Sequence, residues 1–285
     1  MAQGKSITMK LQRILLLCPV ALALTMHANT QQPDASANPA VVPASRPDAW
    51  WQDRHQQKLG RVHQGACDLL FIGDSITHNY EKIGPAPDEL FNPTWEFFYG
   101  ARRAINLGFS GDETEHVLWR IDHGEVDGMH PKVTVVLIGT NNSGHHHDWT
   151  AEQNIAGLDA VIADLHSHLP HTKILLLGIL PTDLGEKKTS IDEAVNEHVK
   201  SEYAHSKFVT VLDIKQAFYK DGKLDTSLFY DTRLKTPAGA LHPDTHGQAL
   251  MAAAIEPTLS KLLGDTNRLT FHPNPLDPPA AKPVQ

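Results

Sequence analysis

The sequence has little cysteine and no excess of positive charge. Only 2 of the 285 residues are cysteine, and the formal net charge is −8. Cys18 lies in the apolar N-terminal segment, so a chain that loses this segment keeps Cys67 alone and has no internal disulfide. The chain also has no long basic stripe, and we therefore expect no nucleic-acid partner.

Long hydrophobic runs are also absent. The apolar stretch ILLLCPVALAL is shorter than the roughly 20 residues of a membrane-spanning helix. Lys5, Lys10 and Arg13 precede it, and small or polar residues follow. This pattern is typical of a secretory signal peptide, here residues 1–28 with Ala28 before the cut, and an uncleaved anchor is the alternative. We expect an exported chain, periplasmic or extracellular, with no stable membrane span after processing.

The remaining composition is that of a globular protein, with 41% hydrophobic and 20% charged residues. Residues 29–49 are rich in Ala, Pro, Ser and Gln without periodicity, which predicts a flexible linker. Residues 270–285 are rich in proline and predict a disordered tail. One domain is left, over residues 50–269.

Within this domain, short apolar runs alternate with helical patterns. Thr150 and Gln153 form a capping box before one helix, and Pro243 precedes the last one. Two further helices are predicted over residues 113–121 and 190–204. Continuously apolar strands between helices predict a doubly wound parallel α/β fold, whose ligands bind at the carboxyl ends of the strands. The predicted strands are residues 68–73, 104–109, 133–139, 173–180 and 208–213.

Ser75 lies where the first predicted strand ends, in the stretch LLFIGDSITHNY. A serine at this edge of the sheet is either part of a turn or a nucleophile presented to a ligand. The stretch differs from the Gly-x-Ser-x-Gly elbow of the α/β-hydrolases, because Thr77 takes the place of the second glycine.

Three other stretches end at the same predicted edge. Gly108 and Gly111 follow the second strand, Asn141 follows the third, and His242 precedes the last helix. Each has an ordinary interpretation as a turn, a cap or a loop histidine. Together they supply a nucleophile, two donors for an oxyanion and a base, which is the set that acyl transfer requires.

The stretches FIGDSI, GDETEHVLWRI, HPKVTVVLIGTNN, TAEQNIAGLDAVI and LLLGILP resemble the sequence blocks of the SGNH (GDSL-type) hydrolases. More closely, they resemble the catalytic subunits of type Ib platelet-activating-factor acetylhydrolase and their bacterial relatives. The resemblance implies a flavodoxin-like three-layer α/β/α sandwich with a five-stranded parallel sheet. It implies that Ser75 is the nucleophile, that Ser75, Gly111 and Asn141 form the oxyanion hole, and that His242 is the base. It implies no metal and no organic cofactor.

The chain departs from this family at the third member of the triad. The family usually carries aspartate three residues before the histidine, where this sequence has Gly239. Asp231 could take the role if the segment TRLKTPAG loops out, and Asp244 is a further alternative. A backbone carbonyl could instead orient His242, which would leave a Ser–His dyad.

Two clusters of polar residues are open to several interpretations. Residues His145–His147 follow Asn142 and could form a metal site, a substrate-contacting rim or a solvated loop. His116, Trp119 and Arg120 share one helix and are interpreted as packing and surface ion-pairing residues.

These residues predict a serine esterase. The resemblance alone implies that it removes short acyl groups, principally acetyl, and the expected export makes O-acetylated glycans or related small esters the expected substrates. The alternatives are a lipid esterase of the acetylhydrolase or lysophospholipase type and a non-catalytic glycan-binding protein on the same fold. A histidine-rich metal carrier would depend on residues 145–147 alone. Family relatives pair as dimers, so a homodimer is a further hypothesis.

Overall fold

The computed structural model describes Met1 and residues 38–84, 89–144 and 149–270. The predicted signal peptide after Met1, the cleavage point, His145–His147 and residues 271–285 of the predicted tail lie outside the described residues. The chain divides into two compact units, Met1–Ser36 and Ala37–Gln285. Every element described below belongs to the second unit.

Five parallel strands form the central sheet in the order β2-β1-β3-β4-β5. This is the order of the flavodoxin-like doubly wound fold, and it confirms the predicted fold class. Each strand is one to three residues shorter than its predicted run. The runs of the second, third and fourth strands continue into buried residues beyond the strand. The strands are β1 Leu69–Gly73, β2 Ala104–Gly108, β3 Val133–Leu137, β4 Lys173–Leu177 and β5 Val209–Leu212.

Seven α-helices surround this sheet in the described parts of the chain. The capping box of Thr150 and Gln153 is present, and helix α6 begins four residues before the predicted Ser190. None of these helices is long and apolar enough to cross a membrane. The helices are α1 Ala49–Val62, α2 Ser75–His78, α3 Asn92–Phe98, α4 Thr114–Arg120, α5 Ala151–His168, α6 Glu186–Glu202 and α7 Thr245–Leu263, and a small hairpin pairs β6 Tyr219–Lys220 with β7 Lys223–Leu224.

Alternate strand residues pack on opposite faces of the sheet. Leu70 and Ile72 belong to a core that also contains residues of α4, α5 and α6. Leu69 and Phe71 belong to a second core with residues of α3 and α7. Burial on both faces explains why the strands are continuously apolar, and it produces the three predicted layers.

The folded part begins before Trp50, the predicted start of the domain. Ala40 is fully buried, and its carbonyl accepts a hydrogen bond of 2.9 Å from the Thr114 hydroxyl. The Asn38 side chain donates to the carbonyl of Gln153 at 3.0 Å. Residues 38–48 of the expected linker thus pack against α4 and α5. The sequence did not predict this packing, because the partners are distant in the chain and the segment has no periodicity.

Candidate active site

Ser75 begins a one-turn helix directly after strand β1. Asp74 caps this helix, since its carboxylate accepts a hydrogen bond of 2.9 Å from the backbone N–H of Ile76. The strand and the cap fix the backbone on both sides of Ser75. The serine therefore lies at the carboxyl edge of the sheet. Ser75 is 8% exposed, and it lines a cavity at this edge.

His242 meets Ser75 across a separation of 167 residues. The Ser75 Oγ atom lies 2.9 Å from Nε2 of His242. Helix α7 starts just after this histidine and is tied to the serine helix, because the side-chain amide of Gln248 donates to the carbonyl of Ile76 at 2.8 Å. The Tyr80 hydroxyl donates to the carbonyl of Gln248 at 3.3 Å. Packing of α7 on α2 therefore brings the two predicted residues together.

Asp231 is the carboxylate that contacts the other side of the imidazole. Its Oδ1 atom lies 2.8 Å from Nδ1 of His242, and its Oδ2 atom accepts the backbone N–H of His242 at 2.5 Å. The segments that carry Asp231 and His242 lie antiparallel. Phe229 and Pro243 form a bridge between them, and the N–H of Tyr230 donates to the carbonyl of His242. The intervening segment TRLKTPAG, residues 232–239, lies outside this pairing.

Asp244, the other candidate carboxylate, is engaged elsewhere, and Gly239 occupies the usual family position. Asp244 caps α7 by accepting the N–H of Gly247 at 2.9 Å, and it pairs with Arg233 at 2.7 Å. A Cβ atom on Gly239 would lie 2.6 Å from Oδ1 of Asp183 and 2.7 Å from Cδ2 of Leu184. An aspartate at residue 239 would therefore require the side chains of Asp183 and Leu184 to move.

Gly111 and Asn141 line one cavity with Ser75 and His242. Gly111 has a φ of +79°, a conformation that favours glycine, and it lines the cavity. One hydrogen of the Asn141 amide binds the carbonyl of Asp112 at 2.8 Å, and such an amide has a second hydrogen to donate. The cavity has a volume of about 350 Å³ and is lined by Ser75, Asn79, Lys82, Ser110, Gly111, Asn141, Tyr230, Leu241 and His242.

The turn that carries Asn141 is fixed by its neighbours. The Asn142 side chain accepts the backbone N–H of Thr114 at 3.2 Å and donates to the hydroxyl of the same residue at 3.0 Å. Asn154 donates to the carbonyl of Gly139 at 3.0 Å. Helices α4 and α5 therefore hold this turn on two sides.

Arg120 differs from its predicted role in surface ion pairing. It is 1% exposed and donates to Asp112 at 2.9 Å and, by a shorter contact, to Glu125. Trp51 donates to the other oxygen of Asp112 at 2.7 Å. This buried network holds the residue whose carbonyl orients Asn141. No sequence pattern indicated the burial of Arg120, because an isolated Arg on a helix is normally solvated.

Three titratable groups near Ser75 have shifted pKa values. Burial raises the pKa of Asp74 to about 7. Burial and the charge of Arg54 lower the pKa of His78 to about 3, so this imidazole is neutral at pH 7. Burial acts to raise the pKa of Asp231, but the hydrogen bonds and charge of His242 outweigh it and lower the pKa below its usual value. Asp231 is therefore an anion beside His242 at neutral pH.

The described residues contain one group with the spacing of metal ligands. Asp122, Asp164 and His168 place ligand atoms within 4.8 Å of one another. Two of them lie in the last turns of α5, a few residues before strand β4 begins. This is the amino edge of the sheet, opposite the edge of Ser75, so the group is not part of the cavity.

Residues 71–250 match the GDSL-like Lipase/Acylhydrolase family. The chain belongs to this family. Membership makes it an ester hydrolase, and the match covers both Ser75 and His242.

The relatives of this GDSL-like hydrolase agree with that assignment. It is 29% identical over 238 residues to platelet-activating factor acetylhydrolase IB subunit alpha2 of Rattus norvegicus, covering 81% of this chain and 94% of the relative. It is 30% identical over 203 residues to the Gallus gallus protein of that name, covering 68% and 82%. Its fold is similar to a GDSL-like lipase from Bacteroides thetaiotaomicron, with a TM-score of 0.56, 16% identity and coverage of 73% and 97%.

Some residues that line the cavity of this hydrolase were not predicted. The Tyr230 ring stacks on the His242 imidazole with centroids 5.4 Å apart, and the Lys82 ammonium lies 5.5 Å from the centroid of the same Tyr230 ring. Asn79 also lines the cavity, and we call Asn79, Lys82, Ser110 and Tyr230 its polar wall. The only sequence signal for Tyr230 was its position next to Asp231, and Lys82 and Asn79 had no signal of their own.

Proposed function

We propose that this GDSL-like hydrolase is a serine esterase that hydrolyses short-chain esters, principally acetyl esters, through an acyl-enzyme. The observation that carries the proposal is the chain of hydrogen bonds from Ser75 through His242 to Asp231, with distances of 2.9 Å and 2.8 Å. A hydroxyl hydrogen-bonded to an imidazole, which is in turn oriented by a carboxylate, is the arrangement that activates a serine nucleophile.

In the first half of the proposed reaction, the Ser75 oxygen attacks the ester carbonyl carbon and its proton passes to Nε2 of His242. Asp231 holds the hydrogen of Nδ1, which selects the required tautomer and stabilises the imidazolium. The carbonyl oxygen becomes an oxyanion. His242 then protonates the leaving alcohol, the ester C–O bond breaks, and the acyl group remains on Ser75.

In the second half, water attacks the acyl-enzyme and His242 accepts its proton, then returns a proton to the Ser75 oxygen as the acid leaves. In both halves the oxyanion accepts hydrogen bonds from the backbone N–H groups of Ser75 and Gly111 and from the Asn141 amide. The amide already donates once to Asp112, which preorganises its second hydrogen for this role. Each such donor contributes roughly 3–4 kcal/mol to transition-state stabilisation.

The size and lining of the cavity support a small acyl group and a polar alcohol. Its volume is about 350 Å³, at the lower end for small-molecule sites, and most of its lining residues have polar side chains or are glycine. The relatives carry the name acetylhydrolase, which supports acetyl as the acyl group. We propose O-acetylated glycans as the substrate class, because hydroxyl-rich alcohols match the polar wall of Asn79, Lys82, Ser110 and Tyr230.

The test is a series of p-nitrophenyl acetate, butyrate and octanoate with the wild-type protein and Ser75→Ala. We expect the rate to fall with chain length and to drop by at least 10³-fold in the variant, as for other serine nucleophiles. A serine-directed phosphonate should add its mass to the wild type and not to Ser75→Ala. Equal acetate hydrolysis by both proteins would contradict the esterase mechanism, and it would favour the non-catalytic glycan-binding alternative.

A lipid ester is the second candidate substrate, and one surface feature favours it. Ile83 and Leu90 pair across an isolated bridge, and they are 74% and 41% exposed. Ile83 directly follows Lys82, which lines the cavity, so we propose that an apolar tail would lie over Ile83 and Leu90. Hydrolysis of the octanoate ester faster than the acetate, and its loss in Ile83→Ser, would select this candidate over the glycan.

Export and pairing are further parts of the proposal. We propose that the chain is exported and cut after Ala28, as the pattern of residues 1–28 predicts. Expression of the full chain in a bacterial host should then give a periplasmic product that begins at Asn29. We also propose a homodimer on the family resemblance, and light scattering should then give a mass twice that of the processed chain.

A further inference from the structure

A buried lysine lies behind the turn that carries Asn141. Lys188, in the first turn of α6, is 4% exposed. Its Nζ atom lies 2.8 Å from the carbonyl oxygen and 3.0 Å from the hydroxyl of Thr140. It also lies 2.7 Å from Oγ of Ser143 and 2.9 Å from Oδ2 of Asp192. Three of its four acceptors therefore belong to the two residues that flank Asn141 and Asn142.

The charge of this lysine is balanced at the same place. Asp192, one helical turn further along α6, is 5% exposed and also accepts a hydrogen bond from the Ser143 hydroxyl. Ser143 thus accepts from Lys188 and donates to Asp192, which closes a ring of three side chains. A buried ammonium without such partners would be strongly destabilising, and the Asp192 carboxylate balances its charge.

The Lys188 network adds a charged contact to the neutral ones that hold this turn in the described residues. Asn142 ties the turn to α4, and Asn154 ties Gly139 to α5, both through neutral amides. The ammonium instead binds the carbonyl of Thr140, the residue directly before Asn141. Its charge also interacts with that of Asp74, the neighbour of Ser75.

We propose that Lys188, paired with Asp192, is a positioning residue that holds Asn141 where its amide can stabilise the oxyanion. The inference rests on the proposed esterase function and deepens it. A misplacement of about 1 Å by a mutation far from the chemistry can cost on the order of 10²-fold in rate. Loss of the ammonium should therefore act on turnover and leave the binding of a small ester largely unchanged.

Three variants separate positioning from simple structural support. Lys188→Met removes the charge and keeps the apolar stem, and we expect kcat for p-nitrophenyl acetate to fall about 10–100-fold with KM within about threefold. Lys188→Met/Asp192→Leu also removes the unpaired carboxylate, so it should recover the melting temperature but not kcat. Lys200→Met changes an exposed lysine of the same helix and should behave as the wild type. Recovery of both properties in the double variant would overturn the proposal.

A second measurement does not depend on esterase activity. In ¹H–¹⁵N NMR spectra, the side-chain amide of Asn141 should shift or broaden in Lys188→Met and in the double variant, and not in Lys200→Met. Unchanged Asn141 resonances in the double variant would overturn the positioning role. If the wild type and Ser75→Ala hydrolyse acetate equally, the esterase function fails, while these spectra still decide whether Lys188 positions Asn141.

Discussion

The Nδ1 atom of His242 lies 2.8 Å from Oδ1 of Asp231, a residue 11 positions earlier in the chain. In the family that this chain resembles, the carboxylate usually stands three positions before the histidine. Here antiparallel pairing of the segments around Phe229 and Pro243 brings Asp231 to the same side of the imidazole. The carboxylate therefore reaches His242 from a different place in the sequence.

The first prediction concerns this carboxylate. Asp231→Asn should lower kcat about 10⁴-fold, because an amide beside Nδ1 favours the wrong histidine tautomer. Stability should fall by only about 1–3 kcal/mol, since the side-chain oxygen can still accept the N–H of His242. Asp244→Asn is the matched control, because it removes a nearby carboxylate that does not contact the ring, and it should keep kcat within a few-fold. Near-normal turnover of Asp231→Asn would assign Asp231 to structure alone.

The second prediction asks whether the usual family position can work in this chain. We expect Gly239→Asp, added to Asp231→Asn, to raise kcat by less than tenfold above that of Asp231→Asn alone. A Cβ at residue 239 would lie 2.6 Å from the carboxylate of Asp183, which already accepts the N–H of Ala240. A new carboxylate would therefore meet a like charge and a crowded site. Recovery to within tenfold of wild-type kcat would show that the loop can rearrange.

The third prediction separates two adjacent asparagines. Asn141→Ala should lower kcat about 10²–10³-fold with little change in KM, as expected for loss of one oxyanion donor. Asn142→Ala leaves that donor in place but removes two hydrogen bonds to Thr114, so it should lower stability by about 1–3 kcal/mol with a smaller effect on kcat. Equal kinetic effects in the two variants would remove Asn141 from the proposed oxyanion hole.

The fourth prediction concerns the pH dependence of stability. Burial raises the pKa of Asp74 to about 7, whereas an aspartate in the unfolded chain titrates near about 4. Between these values the folded state binds more protons, so this group lowers stability as the pH rises from about 4 to about 7. Asp74→Asn should remove that loss, with a gain that grows to at most on the order of 4 kcal/mol at pH 7 and above.

Asp231 provides the control of opposite sign for that experiment. Its pKa is lowered in the folded state, so its contribution to stability is present above its unfolded pKa and is lost as the pH falls through the folded pKa. Chemical denaturation of the wild type, Asp74→Asn and Asp231→Asn from pH 3 to 8 measures both effects. A constant stability difference between the wild type and Asp74→Asn across this range would contradict the prediction.

The fifth prediction tests the glycan hypothesis at Trp50, an exposed residue that is connected to the cavity through His78. Trp50 is 42% exposed, and its ring stacks on His78 with centroids 6.3 Å apart. His78 in turn contacts Ser110, which lines the cavity. Trp50→Ala should raise KM for an O-acetylated oligosaccharide about 3–10-fold, since an aromatic stacking contact contributes about 0.5–1.5 kcal/mol. KM for p-nitrophenyl acetate should not change.

The control variant is Tyr219→Ala. Tyr219 is also an exposed aromatic residue, and it is not among the residues that line the Ser75 cavity. It should leave both substrates unaffected. An identical KM for the oligosaccharide in Trp50→Ala and the wild type would remove Trp50 from the substrate contact and weaken the case for a glycan.

Much of the fold was predictable because it depends on local patterns. Five apolar runs became the five strands, since a parallel sheet buried on both faces selects continuous hydrophobicity. The capping box at Thr150 marked the start of α5 correctly, because its two hydrogen bonds lie within four residues. The linker boundary was less predictable, since the burial of Ala40 depends on Thr114, 74 residues away.

The sequence by itself determined the alternation of strands and helices, and thereby the edge where Ser75, Gly111, Asn141 and His242 would meet. Chain order and hydrophobic periodicity are sufficient for that, because parallel strands all end at one edge. Only the tertiary structure decided which of three candidates contacts the histidine and buried Lys188 behind the Asn141 turn. These outcomes depend on the packing of loops against each other, and no local pattern encodes the distance between two side chains that are far apart in the chain.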